Sequence, residues 1–311
     1  MHSAIRFAKG HGTENDFVVV PDLDGELDLS APVVAALCDR RSGIGGDGLI
    51  RVIRCEALAE GAGQTGRAEW FMDYRNADGS VAEMCGNGVR VFVRYLLESG
   101  LIRLAEGEQV AVGTRAGVKL VRRDGDDLAA DLGPWRIVGG AAAAEAGADV
   151  AVTLRGETVD LPGLSVDLGN PHVVVALPDQ SRLAGADLSV APRVHPANPA
   201  GTNVEFVVPV HEAHAHLIMR VHERGVGETR SCGTGTAAAV LAARVWAGER
   251  APDAWQVDVP GGRLRVTTPH GDLLAGPSVE LAGPAVLVAE GRVDPAWLAG
   301  RLPVPVPAGN D

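Results

Sequence analysis

The stretch CGNG at residues 85–88 returns as CGTG at residues 232–235, and each opens a run with helical spacing of apolar residues. Behind Cys85 these are Val89, Phe92, Val93, Leu96 and Leu97, stopped by Gly100; behind Cys232 the run continues through TAAAVLAA to Ala247, stopped by Gly248. The same helix entrance used twice predicts two similar halves rather than one continuous core. At 311 residues the chain is long for one core and comfortable for two of roughly 150 residues. A second echo points the same way: GTENDFVV (12–19) and GTNVEFVV (201–208) share Gly, Thr, an acidic residue, Phe, Val and Val in one register. Polar residues also recur nine positions before each cysteine, Asn76 and Glu223.

A helix start presents free N–H groups and a partial positive charge, which favour a thiolate or a carboxylate placed there. This predicts a lowered thiol pKa at both entrances, and sulfurs that act as base or nucleophile near neutral pH. The glycines after each cysteine clear the way for a ligand carboxylate to reach backbone N–H groups. Two such sites facing each other suit one reaction class, inversion at a carbon beside a carboxylate. One sulfur removes the α-proton, the other returns a proton to the opposite face, and the helix starts stabilise the carbanion. Two thiolates so placed would repel, so the sulfurs are expected to titrate as a pair. Cys38, within an apolar helix, and Cys55, beside a strand, read as small buried hydrophobes.

Composition narrows the partner. A formal charge of −12 and a pI near 5.2 argue against nucleic acid or an anionic membrane surface and leave a small molecule. MHSAIRFAKGHG has no apolar secretory core, the longest small apolar run is stopped by Arg244, and four cysteines are too few for a disulfide scaffold; a cytoplasmic protein with reduced thiols is expected. Only two lysines are present, Lys9 and Lys119, and neither lies in a phosphate cradle, so no pyridoxal phosphate site is expected. GIGGDG (43–48) fits a dinucleotide fingerprint in letters, yet it follows a helix and precedes a strand, the reverse of that motif. His214, His216 and His222 read as the solvent side of a strand whose other face holds Leu217, Met219 and Val221, rather than as a metal site. No metal or organic cofactor is expected.

Taken together, HGTENDFVVV, RNADGSVAEMCGNGVR, GNPHVVV, GTNVEF and ERGVGETRSCGTGTAAA resemble the diaminopimelate epimerase family, in the family's order from about residue 5 to about residue 265. The resemblance implies cofactor-independent interconversion of LL- and meso-2,6-diaminopimelate, on the route to lysine and peptidoglycan precursors, by a protein that is commonly a homodimer. It implies that Cys85 and Cys232 are the acid/base pair. Gly86, Asn87, Gly233 and Thr234 would surround the reacting carboxylate. Asn15, Asn76, Asn170, Asn203, Glu223 and Arg224 would hold the amino and carboxylate ends, with His172 beside the site. For Asn76 and Asn203 turn chemistry is the alternative, and for Glu223 and Arg224 an ordinary exposed charged pair. Two positions depart from the family pattern: Glu14 stands where many relatives have glycine, and Gly48 where some carry a substrate-contacting glutamine.

The expected fold is α+β: two pseudo-symmetric domains, each a curled, mostly antiparallel sheet around a central helix, with the cleft between them. Residues 1–132 with 278–294 would form one domain, 133–277 the other, and 295–311 a frayed, flexible tail. Two rivals remain open on the residues. A proline or hydroxyproline racemase would also use two cysteines, although those relatives typically have histidine where this chain has Asn87. A binding protein could use the cysteines as a disulfide switch.

Overall fold

The computed structural model describes residues 5–210, 215–269 and 271–301. Its first half runs β1 (Arg6–Gly12), β2 (Asn15–Pro21), α1 (Ala31–Cys38), β3 (Gly48–Arg54), β4 (Trp70–Asn76), α2 (Gly86–Glu98), β5 (Gln109–Gly113), β6 (Lys119–Asp124) and β7 (Asp127–Asp131). The next strands and helices are β8 (Trp135–Ile137), α3 (Gly140–Ala146), β9 (Val150–Thr153), β10 (Leu161–Asp167), β11 (Pro171–Ala176), α4 (Gln180–Ala184) and β12 (Arg193–His195). There follow β13 (Asn203–Pro209), β14 (His216–Glu223), β15 (Gly227–Thr229), α5 (Gly233–Ala247), β16 (Ala254–Val259), β17 (Gly262–Thr267), β18 (Ala275–Gly276) and β19 (Glu280–Gly283). Last come β20 (Val286–Arg292) and α6 (Pro295–Ala299).

Strand pairing repeats. From β1 to β7 the successive neighbours pair antiparallel, parallel, antiparallel, parallel, antiparallel and antiparallel. The same order of senses runs through β10, β11, β13, β14, β16, β17 and β19. In each half the sheet wraps one helix: α2 packs on β1 to β4, β6, β7 and β20, and α5 on β10, β11, β13, β14, β16, β17 and β19. The halves are joined where β7 pairs with β19, and β20 returns to pair with β1.

The repeat also corrects the echo read from the sequence. GTENDFVV lies on the β1–β2 hairpin and GTNVEFVV on β13, which matches β3 rather than β2 in the order of pairing. The stretches that do correspond are NDFVVV (15–20) on β2 and NPHVVV (170–175) on and just before β11. Buried strands draw on the same few apolar residues, so short valine-rich matches carry no information about which strand is which.

Both central helices follow from their sequences. Val89, Phe92, Val93 and Leu96 of α2 are fully buried, whereas α5 presents Ala237 to Ala242 to strands on all sides. A helix apolar all round belongs in a core, and alanine lets the surrounding sheet come close. The alanine-rich stretch near residue 140 forms α3. The tail expectation needs amending, because α6 is a turn capped by Asp294, with Trp297 and Leu298 packed on the Ile5, Val20 and Val33 cluster. So does the histidine strand. His222 is buried with Nδ1 2.9 Å from the Leu188 carbonyl, and half-buried His216 contacts Asp258 at 2.9 Å. At His222 the strand β14 is paired on one edge with β13 and on the other with β15, and the residue is buried, so it has no solvent side. His214 lies outside the described residues. Among the described residues no helix is long and apolar enough to cross a membrane.

Candidate active site

Cys85 and Cys232 are the N-caps of α2 and α5, each with extended backbone and a sulfur that accepts a hydrogen bond from the third residue of its helix. Gly88 N–H donates to Cys85 Sγ at 3.3 Å and Gly235 N–H to Cys232 Sγ at 3.4 Å. The two entrances abut: a Cβ built on Gly233 would lie 3.4 Å from the Gly86 Cα, and one on Gly86 3.7 Å from the Gly233 Cα. Leu281 Cδ2 sits 3.0 Å from the first of these points and 3.1 Å separates the second from Leu132 Cδ2. Glycine at both first helical positions is therefore what lets the two positive helix ends converge.

A polar chain ties this junction together. Asn15 Nδ2 donates to the Asp47 carboxylate at 2.8 Å, which turns Asn15 Oδ1 toward Cys85 Sγ at 3.6 Å. Asn87 Nδ2 donates to Asn15 Oδ1 at 3.3 Å and crosses to the Ser231 carbonyl at 3.2 Å, while its Oδ1 accepts from buried Arg90 at 3.0 Å. Thr13 Oγ1 and Ser231 Oγ meet at 2.6 Å, again between halves. The Asn87 side chain is thus engaged in the joint between helices, and the expectation that it surrounds a ligand carboxylate rests on its backbone.

On the other side Asn170 Nδ2 donates to Thr234 Oγ1 at 3.2 Å, and that hydroxyl lies 3.7 Å from Cys232 Sγ. Asn203 Oδ1 accepts from the Arg224 backbone N–H at 2.9 Å, and its Nδ2 donates to the Pro171 carbonyl at 3.2 Å. Glu223 accepts from the Thr229 hydroxyl and from the Cys232 thiol. The Arg224 guanidinium is exposed, with Nη1 donating to the Ala200 carbonyl at 2.8 Å. Asn76 is exposed at the end of β4, where Nδ2 donates to Ser80 Oγ at 3.0 Å and Oδ1 accepts from the Tyr74 hydroxyl at 3.4 Å. For Asn76 and Asn203 local bonding is therefore present, whatever else they do.

Electrostatics overturn one expectation. Burial pushes the Cys85 thiol up to about 11, against the pull of the Gly88 N–H, and the Glu223 carboxylate adds to the rise. Burial raises Cys232 well above the usual thiol value too, with Glu223 and then Glu205 adding to it and the Gly235 N–H opposing. The helix start does favour a thiolate, but one or two N–H groups do not replace the water a buried sulfur gives up. Burial also raises Glu223, opposed by the hydrogen bonds from Thr229 and Cys232.

Several residues that shape the site were not singled out from the sequence. Glu205 is fully buried with Oε1 2.7 Å from His172 Nδ1, and Ser231, Thr13, Arg90 and Asp47 hold the junction. For Glu205 a signal existed, a carboxylate inside the apolar run of a central strand. Ser231 and Thr13 carried none. The space beside Gly48 is filled by Tyr74, whose Cε2 lies 2.8 Å from where a Cβ would be.

The family model for diaminopimelate epimerase matches residues 7–138 and 164–288. The diaminopimelate epimerase of Streptomyces coelicolor is 50% identical over 311 residues, covering 97% of this chain and 100% of that relative. That of Thermobifida fusca is 51% identical over 297 residues, covering 93% and 98%. Among solved structures, a phenazine biosynthesis protein of the PhzF family from Bacillus anthracis superposes with a TM-score of 0.66 at 18% identity, covering 94% of this chain and 99% of the other. A hydroxyproline epimerase from Agrobacterium vitis, with trans-4-hydroxy-L-proline bound, gives 0.62 at 15% identity, covering 95% and 94%. At that identity the structures speak for the shared two-domain fold, whereas the family model and the close relatives speak for this chain itself: it belongs to the diaminopimelate epimerase family of isomerases.

Proposed function

We propose that the protein interconverts LL- and meso-2,6-diaminopimelate without a cofactor, using Cys85 and Cys232 as the acid/base pair. The observation that carries the mechanism is the abutting pair of cysteine-capped helix starts, one from each half. A substrate carboxylate at the convergence meets backbone N–H groups of Gly86, Asn87, Gly233 and Thr234, and its α-carbon lies between the sulfurs. One sulfur, as thiolate, takes the α-proton; the electron pair delocalises into the carboxylate, where the helix ends stabilise it. The other thiol delivers its proton to the opposite face. No proton is gained or lost overall, and the sulfurs exchange roles.

Asn15, Asn76, Asn170, Asn203, Glu223 and Arg224 are assigned to the amino and carboxylate groups of the substrate, and Arg224 suits the planar carboxylate. His172 supports the site from beneath. Proton NMR of LL-diaminopimelate in deuterium oxide tests the reading. Loss of the α-proton signal, abolished separately in Cys85→Ala and Cys232→Ala, is expected; exchange of proline with diaminopimelate untouched would overturn it.

The reading keeps residues 1–132 in one domain and those from 133 in the other, with one adjustment. By strand order Glu280–Gly283 goes with the second half, so the return to the first begins at Val286 rather than near residue 278. The working form is a cytoplasmic homodimer. β20 supports a dimer, since among the described residues it pairs on one edge only, with β1, and it exposes Val286 and Val288.

A further inference from the structure

The two half-sites share one scaffold and differ behind the sulfur. In the first half Phe17 on β2 and Ile50 on β3 approach Gly88: a Cβ there would lie 3.4 Å from Ile50 Cδ1 and 3.5 Å from Phe17 Cζ. Phe17 stands opposite Gly48 in the parallel β2–β3 pair, as His172 stands opposite Asn203 in the parallel β11–β13 pair. Two residues further along, Ile50 of β3 therefore corresponds to Glu205 of β13. The apolar pair Phe17 and Ile50 is replaced in the second half by a hydrogen-bonded His172 and Glu205, all four fully or almost fully buried.

That replacement points at one sulfur. A Cβ built on Gly235 would lie 2.6 Å from Glu205 Oε1 and 3.2 Å from Cys232 Sγ, so carboxylate and sulfur flank the same glycine. Glu205 Oε2 and His172 Nε2 have no hydrogen-bond partner among the described residues. A buried ionisable pair in place of an apolar one is often no gain in stability, so stability alone does not account for it.

We infer that Glu205 is a positioning residue: held by His172, its carboxylate faces the Cys232 sulfur across Gly235, keeps that thiol protonated in the unliganded enzyme, and leaves Cys85 the first sulfur to give up its proton. The charged and titratable groups facing each sulfur fit this division. Cys232 faces Glu223 from β14 and Glu205 from β13, with His172 of β11 behind; both carboxylates favour the thiol. Cys85 faces Arg90 on its own helix, the Tyr74 hydroxyl on β4 and, across the cleft, Glu223. Among the described residues, Cys232 therefore has a carboxylate built in beneath it and Cys85 has none. In the resting enzyme Cys85 loses its proton to solvent as the pH rises, and Cys232 keeps the one it will donate.

The inference rests on the two-sulfur reading above, but its test does not need turnover. Alkylation by iodoacetamide requires thiolate, so its rate against pH, followed at each cysteine by peptide mass spectrometry, reports which sulfur is protonated. In the wild-type protein Cys85 should react at lower pH than Cys232. Glu205→Gln should speed alkylation of Cys232 by about tenfold near neutral pH, equivalent to one pKa unit, and change Cys85 by less than about twofold. If Glu205→Gln does not fold, the double variant His172→Phe with Glu205→Ile installs the apolar pair of the first half and should move Cys232 the same way. An unmoved Cys232 profile in a folded variant, or equal movement of both cysteines, overturns the inference. Alkylation profiles as expected in a protein that leaves diaminopimelate unchanged would sink the proposed function and keep this one.

Discussion

At the scale of single residues the site depends on what is missing at its glycines. Gly235→Ala places a methyl group 2.6 Å from Glu205 Oε1 and 3.2 Å from Cys232 Sγ. Something must shift, and overpacking of this kind costs about 1–3 kcal/mol. The variant should fold with a lowered urea midpoint and turn over at least about tenfold more slowly, since displacing the sulfur by a fraction of an ångström spoils its line to the α-carbon. Wild-type turnover in Gly235→Ala would show that the close approach of Glu205 and Cys232 does not matter. The raised thiols also set how stability responds to alkali. Cys85, near 11 in the folded chain against a usual 9.0, and buried Cys38, near 12, stay protonated after the unfolded chain has ionised. Their contribution is complete below about pH 9 and is lost as the pH rises through the folded values, because the unfolded state then binds fewer protons. Urea midpoints should therefore fall between about pH 9 and pH 11. A flat profile would contradict the burial of these sulfurs.

At the scale of elements, the β1–β2 hairpin is where one half grips the other. Its two-residue loop, Thr13 and Glu14, closes the Gly12–Asn15 pair with φ of 48° and 62°. Such a tight hairpin turn needs positive φ at both positions and normally takes Asn and Gly, so Thr-Glu is strained. The second half holds it there: Thr13 bonds Ser231, Glu14 pairs with Arg230, and the Thr13 carbonyl lies 1.8 Å from where a Gly261 Cβ would sit, leaving room for glycine alone. The departure at Glu14 thus exchanges an easy backbone for a contact between halves. Left-handed backbone costs a residue with a side chain about 1–2 kcal/mol, whereas an ion pair this exposed is worth roughly 0–1 kcal/mol. Glu14→Gly should therefore unfold at the same or slightly higher temperature, by up to about 1 kcal/mol in stability; a loss larger than that would mean the Arg230 pair outweighs the strain.

At the scale of the whole molecule, the edge of β20 that has no partner among the described residues is a liability in a monomer, carrying Val286 at 41% and Val288 at 56% exposure. Val288→Lys should dissociate the proposed dimer in sedimentation velocity while leaving the far-ultraviolet circular dichroism unchanged; an unaltered sedimentation coefficient would place the interface elsewhere. How the two halves are built was partly legible from residues alone. The pair of cysteine-capped helices, the periodicity that buries Val89, Phe92, Val93 and Leu96, and the existence of two similar halves are written locally, in caps, glycines and apolar spacing. The polar residues that touch, Asn15 with Asn87, Asn170 with Thr234 and Glu223 with Cys232, could be named because the resemblance selected them, although their partners could not. Strand equivalence is not legible in the residues, since valine-rich strands look alike until pairing orders them. The sequence by itself determined which residues cap the helices and which faces are apolar, because propensity and periodicity act over a few neighbours. Only the tertiary structure decided that both thiols sit high rather than low, that Glu205 lies under Cys232, and that Glu14 reaches Arg230. Desolvation and contact are set by what other segments bring to a point, and those segments lie far apart along the chain.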